Sequence, residues 1–335
     1  MYNKEKEVKG MDTELCLRLR GRKKELWVAL LAQAGLEADE TVEITVLVWD
    51  GDTLAATGSR SGNILKCIAV EESRQGEGLT ATVLTALQQN AFEAGMRHLF
   101  LYTKPKNRAM FQSLFFFPVA QTEDVLLMEN RRDGIGSFLN SLSPAPAAGP
   151  VGAAVMNCNP FTKGHRYLIE TAAKECSRLY VFVLSEDRSE FSARDRMEMV
   201  KLGTRDLENV TVLPTGPYLI SRATFPTYFL KDRDGAAQVQ CRLDIAIFAK
   251  YFAPRFGITR RYVGTEPLSP MTARYNEALK THLPEAGIEL REVPRLEAEG
   301  APISASRVRE LLKQHDLAAL AELLPETTVQ YLKNL

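Results

Sequence analysis

Residues 151–171 read VGAAVMNCNPFTKGHRYLIET. The small apolar run from Gly152 to Met156 predicts a buried parallel strand. Asn157-Cys158-Asn159-Pro160 ends it, because proline lacks a ladder donor and biases its predecessor away from the helix. Phe161 to Gly164 forms a tight loop. From His165 onward, Tyr167, Leu168 and Thr171-Ala172 recur at spacings compatible with an amphipathic helix. The result is strand, turn and helix, with Thr162, Lys163, Gly164 and His165 at the helix start. Free N–H groups there, beside a glycine that permits close approach, suit a phosphate.

Outward from this stretch, the second half alternates strands and helices. Arg178–Leu184 (RLYVFVL) is a continuous apolar run fit for a central parallel strand. Ser192 is an N-cap for a helix over 193–203. Strands follow at 209–213, 261–264 and 288–293, with helices at 239–252, 271–282 and 308–312. This alternation predicts a right-handed, doubly wound parallel sheet. Ligands in such sheets sit beyond the carboxyl ends of the strands. The segments 157–165, 185–188, 215–225, 264–270 and 295–306 all fall there. Ser221 to Lys231, aromatic-rich and loop-like, is either core cover or a lid over a small pocket.

The first half is organised differently. A helix is expected from Glu14 to Gly35, with Leu15, Leu17, Leu19 and then Leu26 to Leu31 as its apolar positions. Strands are expected at 43–49, 53–59 and 64–70, the first two joined by a Gly51-Asp52 turn. A long helix over 79–95, a strand over 98–103 and a short helix over 107–114 precede an aromatic run. Ser141–Pro150 (SLSPAPAAGP) has a composition that favours extended conformations over a packed core. The predicted organisation is therefore a domain over 1–130, a Pro/Ala-rich linker over 131–150 and a domain over 151–335.

Composition bounds the function. In 335 residues, 42 Lys and Arg balance 42 Asp and Glu, so no global basic field points to nucleic acid or an acidic membrane. Five scattered cysteines with no CxxC pair point to neither a disulfide framework nor a thiolate metal site. The charged N-terminus lacks a signal-peptide core, and no apolar run has membrane-spanning length. The expectation is a soluble cytoplasmic protein.

The stretch NPFTKGHRYLI resembles the (H/T)xGH signature of the nucleotidyltransferase superfamily. Ile303-Ser304-Ala305-Ser306-Arg307-Val308-Arg309 resembles its second signature, ISxTxxR. The two lie in the right order at the two ends of the α/β pattern. The resemblance implies that His165 donates to a phosphate of ATP as charge builds on the leaving pyrophosphate. Thr162 stands in the place of the first histidine and would donate to the α-phosphate. Lys163 is the variable position, more readily a solvated lysine than a catalytic one. Ser304 and Ser306 are either plain helix caps or ligands of the β- and γ-phosphates, with Arg309 one turn on and able to face the same group. The implied ATP site comprises Asn157, Pro160, Phe161, Gly164, Gly264, Glu266, Ser304 and Ser306. Glu266 would hold a ribose hydroxyl or a substrate group, or be an exposed loop residue. Arg274, Tyr275 and Asn276 are candidates for flanking the second substrate. Arg188, Arg194 and Arg196 are basic residues of the implied nucleophile side, with nothing to rank them. No protein-ligated metal is implied; Mg²⁺ would be carried by ATP.

The first half resembles the GNAT acetyltransferase fold. VEESRQGEGLTATVLTAL sits at that family's pyrophosphate loop, with Arg74, Gly76 and Gly78 as a coenzyme A or acetyl-CoA contact. The leading Arg or Gln falls on Ser73, and the late tyrosine is Phe111, so an acid for a leaving thiolate is not evident. Retention for packing or partner binding stays open. The fold class is thus α/β: a GNAT-like α/β domain followed by a Rossmann-like, doubly wound parallel-sheet nucleotidyltransferase domain.

Together these pieces, with TFPTYFLK and VGTEPLSPMTARYNEALK, resemble the citrate lyase ligase family over nearly the whole chain. That resemblance implies ATP-dependent acetylation, from acetate, of the prosthetic-group thiol on the acyl carrier subunit of citrate lyase. The thiol belongs to a phosphopantetheine-type group, and the route runs through acetyl-AMP with release of AMP and pyrophosphate. The alternatives are a cofactor adenylyltransferase of the dephospho-CoA or NAD type, and a non-catalytic regulator sensing acetyl-CoA and ATP.

Overall fold

The computed structural model describes residues 10–187, 189–221, 234–298, 300–314 and 316–335. The chain divides into two units, Met1–Gly134 and Ile135–Leu335.

The first unit runs β1 (Met11–Leu17), α1 (Gly21–Gln33), β2 (Ile44–Asp50), β3 (Thr53–Ser61), β4 (Ile64–Val70), α2 (Leu79–Glu93), β5 (Phe100–Thr103), α3 (Arg108–Ser113), β6 (Phe117–Gln121) and β7 (Leu126–Glu129). Its seven-stranded sheet has the order β1-β2-β3-β4-β5-β7-β6. Only the β4–β5 pair is parallel. Alternate residues of β2 serve two cores: Val46 and Val48 pack with the α2 leucines, and Leu47 packs with Trp27, Leu30 and Leu31 of α1. A strand covered on both faces reads as a continuous apolar run, as 46–49 does.

The helix expected over Glu14–Gly35 is divided. Glu14 to Leu17 belong to β1, paired antiparallel with β2 in the register Glu14↔Leu47. Leu15, Leu17 and Leu19 recur every two residues, which is the strand period. Because β1 is an edge strand, Leu15 and Leu17 stay 44% and 76% exposed.

In the stretch read as linker, residues 134–141 form a helix, α4 (Gly134–Ser141). The Phe138 ring lies 5.6 Å from that of Tyr218. Arg255 donates to the carbonyls of Leu139 and Leu142, both at 3.2 Å. The Tyr180 hydroxyl bonds both backbone groups of Ala145. The Phe138 ring and the backbone carbonyls at 139 and 142 thus anchor a segment whose Pro/Ala composition conceals them.

The second unit continues as β8 (Val151–Met156), α5 (Lys163–Lys174), β9 (Arg178–Val183), α6 (Ala193–Thr204), β10 (Val210–Pro214), α7 (Asp234–Ile247), α8 (Ala253–Phe256), β11 (Arg260–Gly264), α9 (Pro270–His282), β12 (Glu289–Val293), a two-residue-per-strand hairpin of β13 (Glu297–Ala298) and β14 (Ala301–Pro302), then α10 (Ala305–Gln314), α11 (Leu317–Leu323) and α12 (Glu326–Lys333). The main sheet is parallel throughout, in the order β10-β9-β8-β11-β12. Both units are α/β, as the sequence predicts. The strand order reverses at β8, so a crevice opens past the carboxyl ends of β8 and β11, where such sheets bind ligands. Arg188 and the stretch beyond Ser221 up to 233 lie outside the described residues. No described helix is long and apolar enough to cross a membrane.

Candidate active site

The site begins at the N-terminus of α5. Thr162 is the N-cap, and its Oγ accepts from the His165 N–H at 3.3 Å. In return, the Thr162 N–H donates to Nδ1 of His165 at 3.1 Å, and Thr162 Oγ lies 2.9 Å from the same nitrogen. This is a capping box with an imidazole in the usual Glu position. An Nδ1 that accepts from a backbone N–H carries no proton, so the ring's proton sits on Nε2. Burial and then the nearby Arg295 charge push the His165 pKa down to about 4. His165 is therefore a neutral Nε2–H donor at neutral pH. Nε2 makes no hydrogen bond among the described residues.

Phe161 fixes the ring from beneath, stacked at 6.0 Å between centroids and 16° between planes. Phe161 is fully buried and abuts Gly203 of α6, where an added Cβ would stand 2.3 Å from the Phe161 ring. Gly203→Ala gains about 1 kcal/mol of helix propensity, but overpacking a buried ring costs about 1–3 kcal/mol. The expected outcome is net destabilisation of up to about 2 kcal/mol in urea melts, with weakened catalysis as the ring under His165 shifts. A more stable Gly203→Ala protein would refute this packing argument.

Asn157 follows β8 and lines the crevice. Its Oδ1 accepts from Nη1 of Arg196 at 2.7 Å, and its Nδ2 donates to Ser189 at 3.2 Å. Arg196, on α6, is fully buried and does not line the crevice. Its guanidinium donates to the backbone carbonyls of Asn157, Leu184, Glu186 and Phe191. Arg196 therefore acts as a positioning residue that ties together the chain leaving β8 and β9. Arg194 lies on the same helix and is exposed.

The second motif meets the first directly: a Cβ on Gly164 would lie 3.5 Å from Cβ of Ile303. Ser304 Oγ accepts from the Arg307 N–H at 3.4 Å, a weak cap on α10. Nη2 of Arg309 donates to Ser306 Oγ at 2.9 Å, and Nη1 donates to the Asn159 carbonyl at 2.6 Å. One arginine thus joins both motifs and carries its charge to the crevice. Lys163 Nζ donates to the Ala321 carbonyl at 2.9 Å, which gives it a tie between helices.

The third wall is the loop after β11. Glu266 Oε1 accepts from the backbone N–H groups of Leu268 and Ser269, both at 2.9 Å, and its other oxygen pairs with Arg295. Arg295 also donates to the Thr265 carbonyl at 2.8 Å. The Glu266 side chain is only 5% exposed, so its carboxylate orders this loop and the start of α9. Asn276 Nδ2 reaches back to the Gly264 carbonyl at 3.0 Å.

These walls enclose a cavity of about 390 Å³, in the size range of small-molecule sites. Among the residues named from sequence, Asn157, Thr162, Gly164, His165, Gly264, Glu266, Tyr275, Asn276, Ser304, Ser306 and Arg309 line it. Pro160 and Phe161 lie behind it in the core, and Arg274 is exposed on another face of α9. Arg295 and Arg261 also line it and were not singled out from sequence. Arg295 stands two residues past Val293, the end of β12, so its place at a carboxyl end was readable. Two helix N-termini, a neutral imidazole and two of the three lining arginines, Arg295 and Arg309, together fit a polyphosphate.

Cys158 is fully buried and its thiol pKa is raised by that burial, which leaves it unreactive as a thiolate. No group of three or more His, Cys, Asp or Glu among the described residues has metal-binding geometry. In the first unit, Arg74, Gly76 and Gly78 line a cavity of about 760 Å³ at the start of α2. Arg74 is engaged there by Asp50 and Glu77. Phe111 is buried against that core.

Residues 151–332 match the family model described as the citrate lyase ligase C-terminal domain. The citrate (pro-3S)-lyase ligase of Klebsiella pneumoniae is 44% identical over 309 residues, covering 90% of this chain and 90% of that protein. Solved structures similar to the chain include Escherichia coli ElaA, at 14% identity and a TM-score of 0.33 over 36% of this chain and 99% of that one. Thermotoga maritima TmcAL bound with alpha-thio ATP is 12% identical, with a TM-score of 0.40 over 55% of each chain.

Proposed function

The chain belongs to the citrate lyase ligase family of enzymes, and we propose that it uses ATP and acetate to acetylate the prosthetic-group thiol of the citrate lyase acyl carrier subunit, thereby activating the lyase. Acetate is a poor electrophile. Attack of one acetate oxygen on the α-phosphorus of ATP forms acetyl-AMP and breaks the bond to pyrophosphate. Attack of the carrier thiol on the acetyl carbonyl then forms the thioester and releases AMP. The first step asks the protein for positioning and for stabilisation of charge on the departing pyrophosphate, with no protein nucleophile.

The observation that carries this reading is the neutral, Nε2-protonated His165 in one cavity with the α10 start and Arg309. A preorganised donor in such a site counts for more than one in water, since nothing reorganises as charge develops. His165 and the α5 N–H groups would serve the α- and β-phosphates; Ser304, Ser306, Arg309 and Arg295 would serve the departing end. The loop of Gly264, Glu266 and Asn276 supplies backbone polar groups for the nucleoside. Mg²⁺ would enter on the phosphates, consistent with Glu266, the buried carboxylate lining the cavity among the described residues, being already engaged by Arg295.

The test is ATP–pyrophosphate exchange with purified protein and Mg²⁺, with and without acetate. Acetate-dependent exchange is expected. Exchange that ignores acetate but requires a phosphorylated acceptor would replace this reading with a cofactor adenylyltransferase.

A pH profile follows from the imidazole. With its pKa lowered to about 4, His165 stays neutral as pH falls through the usual histidine range, and protonates only as pH approaches 4. The exchange rate is expected to be flat between about pH 8 and about pH 6, where an unperturbed histidine would begin to titrate. A loss of half the rate near pH 6.5, carried by His165, would contradict the assigned proton on Nε2.

A further inference from the structure

Arg261 lies on β11 between Ala153 of β8 and Leu290 of β12, inside the sheet and away from both sequence motifs. It is 2% exposed, yet it lines the cavity. Its guanidinium stands over the Phe248 ring, 4.4 Å from the centroid. It makes no hydrogen bond among the described residues, and Nε is buried without a partner. The carboxylate that bears on it electrostatically is Asp244. Asp244 accepts from the Ile220 N–H at 2.6 Å and from the Tyr275 hydroxyl at 2.7 Å. Asp244 therefore offsets the charge of Arg261 without occupying its donors.

A buried guanidinium with unused donors is costly, and proteins keep one where a ligand completes it. We propose that Arg261 binds the carboxylate of the short-chain acid substrate. The planar fork of arginine matches a carboxylate, and the Phe248 ring fixes the plane of that fork. The helix N-termini, His165, Arg309 and Arg295 already supply the polyphosphate end. Arg261 instead projects from inside β11 beside Ile220 and Tyr275, where a small acid finds a cation and apolar walls together. Held there, one carboxylate oxygen is anchored while the other is presented to the α-phosphorus. The inference rests on the ligase reading of the preceding subsection.

The test compares wild type, Arg261→Met and Arg261→Lys in ATP–pyrophosphate exchange, with acetate and ATP varied separately. Losing a charged hydrogen-bonding partner should raise the acetate KM about 30–100-fold in Arg261→Met, with the ATP KM changed less than about threefold. Arg261→Lys keeps the charge but loses the fork, and an increase of about tenfold is expected. An acetate KM within about threefold of wild type, in whichever variant retains the wild-type circular dichroism and melting profile, would overturn the assignment. If wild type shows no acetate-dependent exchange, the ligase reading fails, and binding of ¹³C-acetate followed by line broadening decides Arg261 separately. Binding to wild type that is lost in the variant sustains the proposal. Equal binding to both, or none to wild type, overturns it.

Discussion

Replacing His165 by alanine is expected to lower acetate-dependent ATP–pyrophosphate exchange by about 10²–10³-fold, the usual cost of removing one preorganised donor at developing charge. Two roles are lost together. The Nε2–H proposed to serve the phosphates is removed, and Nδ1 no longer accepts the Thr162 N–H at 3.1 Å. The second loss is a capping loss, which costs about 1 kcal/mol of stability. His165→Gln separates them. A glutamine three residues after a threonine cap reaches back to the cap N–H as the imidazole Nδ1 of His165 does here, so stability should return while exchange stays low. Melting curves and exchange rates, measured on both variants, check each role. An alanine variant that turns over within about threefold of wild type would remove His165 from the chemistry.

How much of this could be read from sequence depends on whether a residue's partner is local. The strand, turn and helix over 151–171 were legible because apolar periodicity, Asn159-Pro160 and Gly164 act within one another's reach. Both motifs were legible as short patterns, and the parallel sheet followed from alternation. β1 was misread because an edge strand carries a weak burial signal: Leu15 and Leu17 alternate, but they alternate largely in solvent. The helix over 134–141 was hidden because its anchors, Arg255 and Tyr218, come from far along the chain. The same holds in the site. Nothing in the string separates Arg196 from Arg194, since only the folded chain brings the carbonyls of Asn157 and Leu184 to one of them. Arg261 left a trace, a charge inside a strand that the sheet buries on both faces, but its lack of donors' partners appears only in three dimensions.

Arg196→Met is expected to destabilise the second unit by about 3–5 kcal/mol, the range for removing one member of a buried, fully engaged charge network. Methionine retains the length and the apolar stem, so little cavity arises, and the loss isolates the hydrogen bonds. Four backbone carbonyls and Oδ1 of Asn157 lose a donor in a region from which water is largely excluded. Each unsatisfied buried acceptor costs about 1–3 kcal/mol, and partial relaxation keeps the sum below five such terms. Burial lowers the Arg196 pKa, but arginine starts high enough that the guanidinium remains charged at neutral pH. Urea unfolding followed by tryptophan-independent circular dichroism should show a lower midpoint at unchanged slope, the mark of changed stability rather than changed compactness. Arg196→Lys should recover only part, because a single ammonium cannot reach acceptors arrayed around a planar fork. In the folded fraction, Asn157 loses its anchor at the end of β8, so the ATP KM should rise about tenfold while the pH profile keeps its shape. A midpoint within experimental scatter of wild type would mean that water replaces the guanidinium at these carbonyls, and that the crevice is held open by the motifs alone.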